Sequence, residues 1–521
     1  MKLSLEFISK MYNNRNSYAE IFSEDELKVI HVASNLEQII KDLVQKKKLI
    51  LLTGNPGDGK THLIRCLEDF LRKHDTFLEL DINEVKDYQK FILELKAALD
   101  NNKPALIAVN EYPLHDLLQK LKNEFPYYEE INKLKKHTLV YSGEFQVDYS
   151  SLPVAIVDLN NRNLLNESIL NQVFEQIIQN VSHCDSCDKA KQCVHLNNLS
   201  LISNDEIRQR ITLLVSTIGN IGSHAVMRDI LGFISYIITR GKKCSELDIQ
   251  DFTNKYYNLM FNGNNSLFRD LLRLDPTKIT SPSIDEALWN GELLSGWITK
   301  EDILIPKNVE DEDEALQQFK SMKRRYFFEH QEGYKLLELY PKELRNYLKL
   351  VRDSCDDQIS TIQKLVLSIN RYYNPLETEN EKLFIWNSHS YEARAYPEVT
   401  ISNSSFPIHN MKILVPKLPI YLKKMEYVPN HLILRVEENK SNEHIDLTIN
   451  FNLYRMLMLI AEGYPPQILP NNHKFTLNRF MSSLSSTRSR LQINEFTIRS
   501  IKNSVPRKIL IKDNKYLMKH R

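Results

Sequence analysis

The sequence predicts an α/β fold whose core is a parallel sheet, and three observations carry that reading. Short apolar runs at 49–52, 77–80, 105–109 and 154–157 are separated by helical stretches such as 62–73 and 85–99, the alternation that builds parallel strands joined by crossovers. The first run leads directly into GNPGDGKT at Gly54–Thr61, so strand, glycine loop and helix follow one another. A strongly helical stretch from Asp205 to Thr239 comes after the last run.

The loop matches G-x-x-x-x-G-K-[ST] at every fixed position. The chain has 13 glycines in 521 residues, and three of them (Gly54, Gly57 and Gly59) fall in these eight positions. Glycines let successive backbone N–H groups turn into one concavity at a helix N-terminus, which suits a phosphate. Lys60 adds a mobile positive charge for the β- and γ-phosphates, and the Thr61 hydroxyl is a ligand for Mg2+. Asn55, Pro56 and Asp58 fill the variable positions and His62 opens the helix, so 54–62 is the expected ATP-binding stretch. A chance turn between strand and helix is the competing account, and the flanking context weighs against it. The expected fold is therefore a P-loop NTPase core, with a helical lid and a C-terminal α+β region.

The chain before the loop reads as helical. Ser23 with Asp25 and Glu26 gives a capped start, and Leu27, Ile30, Leu36, Ile39, Ile40 and Leu43 continue at roughly helical spacing. At 42% hydrophobic and 26% charged residues the composition is that of a globular protein of two to four domains. There is no long apolar run and no apolar leader at the N-terminus, so no membrane association and a cytoplasmic location are expected. A net charge of +1 excludes a protein that coats nucleic acid by bulk electrostatics. One local basic stretch remains, Arg499–Arg521, which reads either as a patch or as a solvated tail.

The ends of the later strands supply the remaining catalytic candidates. The 105–109 run passes into Asn110-Glu111. In P-loop ATPases of the additional-strand type this place holds an acid that orients Mg2+ through water, then a glutamate that polarises the attacking water. Glu111 suits the second role. Asn110 departs from the first, because an amide brings no charge, so weak hydrolysis or binding without turnover is a live alternative. Asn160 or Asn161, after the 154–157 run, suits a γ-phosphate sensor, and Arg162 reads either as a trans-acting finger or as a surface arginine. Arg228, near the start of an apolar helix in GSHAVMRDILGFISYII, fits a second sensor arginine reaching back from a lid. Together these features favour the AAA+ branch, and no N-K-x-D motif suggests a GTPase.

Cys184, Cys187, Cys193 and His195 lie within HCDSCDKAKQCVH. Three thiolates and an imidazole are enough for a closed, structural Zn2+ site, although candidates crowded into one short segment also fit a knuckle, a vestigial site or plain thiols. Cys66, Cys244 and Cys355 are scattered. The KRRYFFEH block (323–330) offers cations and aromatics for a nucleic acid, or a helix with a charged face and a buried aromatic face. Alternation in 432–436 and 445–451 indicates antiparallel strands, and the helix from Leu453 stops at Glu462-Gly463. The expected organisation is an ATPase core with N-terminal helices over 1–200, carrying the Cys-rich insertion at about 183–195. A lid over 201–260, a helical middle domain over 261–375 and an α+β domain over 376–521 follow.

Several stretches taken in order look like the DptF-type ATPase component of bacterial phosphorothioation-dependent DNA restriction systems. They are GNPGDGKTHLI, the strand ending in Asn110-Glu111, the CDSC/C/H insertion, MRDILGFISYI, LFRDLLRLDP, KRRYFFE and FNLYRMLMLIAEGYPP. The resemblance implies an ATP-using subunit of a multi-subunit defence complex that acts on DNA lacking the sulfur modification, with DNA met through the complex and homo-oligomerisation possible. No nuclease constellation is visible, so cleavage would fall to a partner. Two other readings stand beside it: a nucleotide-dependent scaffold with little turnover, and a signalling ATPase that senses a phage component.

Overall fold

Continuous apolar runs are stable only where both faces of a sheet are covered, and that is where three of the four runs lie. The computed structural model describes the chain apart from residues 1–3, 13–21, 24–25, 27–28, 33, 56, 83–84, 123, 140–147, 181–186, 188–189, 247–251, 294, 300–305, 307–309, 353–357, 388–398, 438–443, 489–494, 501–502, 513–514 and 520–521. β1 (Leu49–Thr53), β2 (Phe77–Glu79), β3 (Ala105–Ala108) and β4 (Val154–Asp158) form a parallel sheet in the order β2-β3-β1-β4. β1, β3 and β4 are buried along their whole length, whereas the edge strand β2 is half-buried.

The register fixes which residues meet at the sheet's C-terminal edge. Leu52 lies opposite Ala108 and Thr53 opposite Asp158, so the glycine loop, Asn110 and Asp158 emerge side by side. This corrects one expectation. An additional-strand sheet sets one strand between the loop strand and the acid-bearing one; β1 and β3 are direct neighbours, with the Val109 N–H donating to the Leu52 carbonyl at 3.0 Å, so the strand ending in Asn110-Glu111 takes the intervening place and β2, followed by Asp81, is the strand one step further out.

One further expectation is modified near the N-terminus. Ser23 and Glu26 form the reciprocal cap, with the Ser23 N–H donating to the Glu26 carboxylate at 2.8 Å and the Glu26 N–H to the Ser23 hydroxyl at 3.3 Å. Helix does not continue from there to Leu43, however. The chain is non-helical at His31, Val32 and Ser34 before the amphipathic helix Asn35–Gln45 begins. The lid stretch forms two helices, Asp205–Asn220 and Met227–Thr239, and the second is buried from Ile230 to Thr239. Its Ser235 hydroxyl donates to the Ile8 carbonyl of the helix Leu5–Met11, which covers it.

The chain divides into two compact units, and the division falls at Pro341 rather than near 375. Of the described residues, those up to 340 and 418–428 belong to the first unit, and those of 341–417 and from 429 onward to the second. In the first unit KRRYFFEH forms the end of the helix Glu312–Glu329, and its basic residues are spent internally. Lys323 pairs with Asp285 at 2.5 Å, Arg324 with Asp275 at 2.6 Å and Arg325 with Glu329 at 3.0 Å, while Tyr326, Phe327 and Phe328 are buried. The buried-face account of this block therefore holds, and it offers no aromatic platform for bases.

The second unit contains the expected antiparallel strands. β7 (Met411–Leu414), β8 (His431–Glu437) and β9 (His444–Asn450) make one sheet, followed by the helix Phe451–Ala461 that ends at Gly463, φ +103°. A second sheet runs β12-β11-β10-β6-β5, with β5 at Lys382–Trp386, β6 at Val399–Pro407, β10 at Glu495–Ser500, β11 at Asn503–Lys512 and β12 at Lys515–Lys519. The basic C-terminal stretch is thus sheet rather than a solvated tail. Its first arginine, Arg499, pairs with Glu377 at 2.6 Å and lies over the Phe384 ring. Among the described residues, no helix is long and apolar enough to cross a membrane.

Glu329 is fully buried and accepts from Arg325 at 3.0 Å, the Tyr256 hydroxyl at 3.0 Å and the Thr299 hydroxyl at 2.6 Å. Removing the cation strands the carboxylate, so Arg325→Met is expected to destabilise the first unit by about 3–5 kcal/mol. The double change Arg325→Met/Glu329→Gln should recover part of that loss, as read from denaturant midpoints.

Candidate functional site

The loop between β1 and the helix Lys60–Cys66 takes a backbone path that most residues resist. Gly54, Gly57 and Gly59 have φ of +150°, +95° and +84°. At Gly54 the objection to a side chain is also steric, since a Cβ there would stand 2.6 Å from the Asp58 carboxylate and 2.9 Å from Leu159. Asp58 is buried and accepts the Asn55 N–H, which holds the loop's turn closed. Gly57 leaves room for Arg228, whose guanidinium lies 3.6 Å from where a Cβ would be. Pro56 lies outside the described residues.

Lys60 folds back over the loop, donating to the carbonyls of Gly54 at 3.0 Å and Asn55 at 2.9 Å. Burial lowers its pKa, and Asp58, Asp81 and Asp158 oppose the shift. A cavity of about 620 Å³ opens beside it, lined by Gly57–Leu63, Asp81, Asn110, Arg162 and Arg228 among others. The sequence candidates Gly57, Asp58, Gly59, Lys60, Thr61, His62, Asn110 and Arg228 therefore share one space, although they come from 172 residues of chain (57 to 228). Asn110 caps the helix Glu111–Lys120 through its backbone, and its side chain makes no cap bond.

Glu111 does not line that cavity. It faces a smaller one of about 360 Å³, with Thr53, Lys135 and Asp158. A relay of amides joins it to the loop: Asn55 Nδ2 donates to Asn160 Oδ1 at 2.7 Å, and Asn160 Nδ2 donates to Glu111 Oε1 at 3.2 Å. This separates the two asparagines that sequence left equivalent, because Asn161 instead donates to Asp158 at 3.2 Å.

Three residues at the site carried no assigned role in the sequence. Asp81, just past β2, lines the cavity and lies close enough to Lys60 to act on its charge. Asp158 at the end of β4 is buried, and burial raises its pKa, with the charges of Glu111 and Asp58 adding to the rise. Glu426 is the third. It holds Arg162 through Nε at 2.8 Å and accepts the Asn35 N–H at 3.2 Å, although it stands 264 residues beyond Arg162. Arg162 is consequently buried and turned into its own cavity, which replaces the trans-acting and surface readings; its Nη2 has no hydrogen-bond partner among the described residues. The signal for Asp81 was its place directly after an apolar run. No local signal marked Glu426.

The Cys-rich set is not assembled among the described residues. Cys184 lies outside them, Cys187 is exposed and Cys193 half-buried, and these two do not converge with His195 on one point. His195 is instead buried in the helical layer and bonded to the Thr239 backbone, and burial holds its pKa down at about 4.

No family model matches the chain, and no match emerges among curated proteins or solved structures.

Asp58 also faces His224, with Nε2 3.7 Å from Oδ1. The carboxylate, as bonding and charge partner, outweighs burial and raises the His224 pKa above 6.5. A raised histidine stabilises the fold fully below its unfolded pKa and loses that contribution as pH rises through the folded value. A titration followed by NMR should place the imidazole midpoint above 6.5. In His224→Gln the corresponding step in stability against pH should vanish.

Proposed function

We propose that this chain is a P-loop ATPase of the AAA+ kind. It binds ATP in the 54–62 loop and serves as the nucleotide-using subunit of a defence assembly directed at DNA without phosphorothioate modification. The observation that carries the nucleotide reading is the loop itself: three positive-φ glycines, a lysine folded over the loop carbonyls, and a cavity whose walls include Arg162 and Arg228. Backbone N–H groups and Lys60 hold phosphate oxygens, while Arg162 and Arg228 approach the terminal phosphate from the strand end and the lid helix.

Thr61 and Asp81 line the same cavity and offer the hard oxygen donors that Mg2+ prefers, so the donor set suits that ion. When bound it neutralises phosphate charge. Asp81 supplies the negative charge that Asn110 lacks. Glu111, steered by Asn160 and hence by the loop's own Asn55, acts as the base toward water.

The place in a DNA restriction assembly rests on the run of stretches that resemble DptF-type proteins. The buried KRRYFFEH block adds no DNA-binding surface to that reading. A scaffold with little turnover is the second reading, and the uncharged Asn110 is what favours it.

Steady-state hydrolysis and MgATP binding, each measured with and without unmodified DNA, separate the two. Lys60→Ala should abolish binding. Glu111→Gln should keep binding and lower turnover by about 100-fold or more. Asp81→Asn should raise the Mg2+ concentration needed for half-maximal activity. Tight binding with no turnover under any condition supports the scaffold, and absence of adenine-nucleotide binding by the unmodified chain overturns both.

A further inference from the structure

Beside the loop, on the same helix, lies a cluster that nucleotide handling does not explain. His62 and Cys66 stand four residues apart on the helix Lys60–Cys66 and therefore share a face. The non-helical break before Asn35 brings His31 over that face. His31 Nδ1 lies 3.0 Å from His62 Nε2, and Cys66 Sγ lies 3.5 Å from His62 Nε2 and 3.9 Å from His31 Nδ1.

These spacings are close to those of three corners of a metal tetrahedron. With Zn–N near 2.0–2.1 Å and Zn–S near 2.3 Å, neighbouring ligand atoms sit roughly 3.3–3.6 Å apart. The fourth residue, Glu37, makes the set more than a coincidence of donors. Its carboxylate lies 3.1 Å from His31 Nε2, so a proton held there leaves Nδ1 bare and aimed at the other two donors. This carboxylate–histidine pair is the support that metal-binding imidazoles ordinarily have. Two imidazoles and a thiolate are borderline-soft ligands, which suits Zn2+ better than Mg2+ or Ca2+. Cys66 is exposed, so an ion can enter from solvent.

We propose that His31, His62 and Cys66 bind one Zn2+ ion, with Glu37 setting the tautomer of His31 and a water completing the coordination. The ion ties the 31–37 segment to the loop helix one residue after Thr61. His31, Glu37 and His62 all line the 620 Å³ cavity, so metal occupancy fixes one of its walls. The site is distinct from the Cys184–His195 stretch and stands whether or not the chain binds ATP.

The test uses the full chain, loaded with Zn2+ and freed of loose metal on a chelating resin. Metal content should fall by one equivalent per chain from the unmodified protein to Cys66→Ser, which leaves any zinc at Cys184–Cys193 in both. Titration with Co2+ should give a thiolate charge-transfer band that Cys66→Ser lacks. Unchanged metal content together with an unchanged Co2+ spectrum overturns the site. Because a variant can fail by misfolding, the unmodified protein gives an independent readout through alkylation of Cys66 followed by peptide mass spectrometry. Reaction should be about tenfold slower with stoichiometric Zn2+ than with a chelator, since a metal-held thiolate is a poor nucleophile toward outside reagents. Equal rates would reduce the His31–His62 contact to an ordinary hydrogen bond and defeat the proposal.

Discussion

Hydrogen bonding of β1 along both of its edges is the constraint on which the site depends. With β3 on one side and β4 on the other, the loop after Thr53 has a single place to emerge, between Asn110 and Asp158. The glycines then need only turn the chain and the helix Lys60–Cys66 only carry it away. A slip of one residue in either pairing would turn every side chain of the strand to the opposite face. Full burial of β1, β3 and β4 makes such a slip costly.

Charges of both signs crowd around the loop. Lys60, Arg162 and Arg228 stand among Asp58, Asp81, Asp158 and Glu111, and burial bears on members of both signs, lowering the pKa of Lys60 and raising that of Asp158. In such a setting the Coulomb partners keep each charge affordable, and a highly charged guest has to be matched by several groups at once.

The loop, its strand and its helix were legible in the sequence because each is a local property: a motif of fixed spacing, a short apolar run, an amphipathic period. The same is true of β8, β9 and the helix ending at Gly463. What was not legible depends on contacts between distant parts of the chain. Asn160 and Asn161 look alike in sequence, and only the reach from Asn55 tells them apart. Arg162 reads as a surface residue until Glu426 arrives. The apolar spacing from Ser23 to Leu43 reads as one helix because periodicity does not register a short interruption that preserves phase, and that interruption is what points His31 at Cys66. In the cysteine-rich stretch, spacing along the chain gives proximity, whereas the burial of His195 in the helical layer depends on distant contacts.

The return of residues 418–428 to the first unit has a consequence for how the protein can be divided. There Tyr421 donates to the Ile156 carbonyl of β4 at 2.8 Å, and the Glu426 carbonyl accepts the Asn163 N–H at 2.8 Å. The backbone leaves the first unit at Pro341, comes back for eleven residues (418 to 428) and leaves again. No single cut therefore releases that unit whole: a fragment stopping at Tyr340 keeps the glycine loop but abandons a guanidinium in the interior with no acid to meet it.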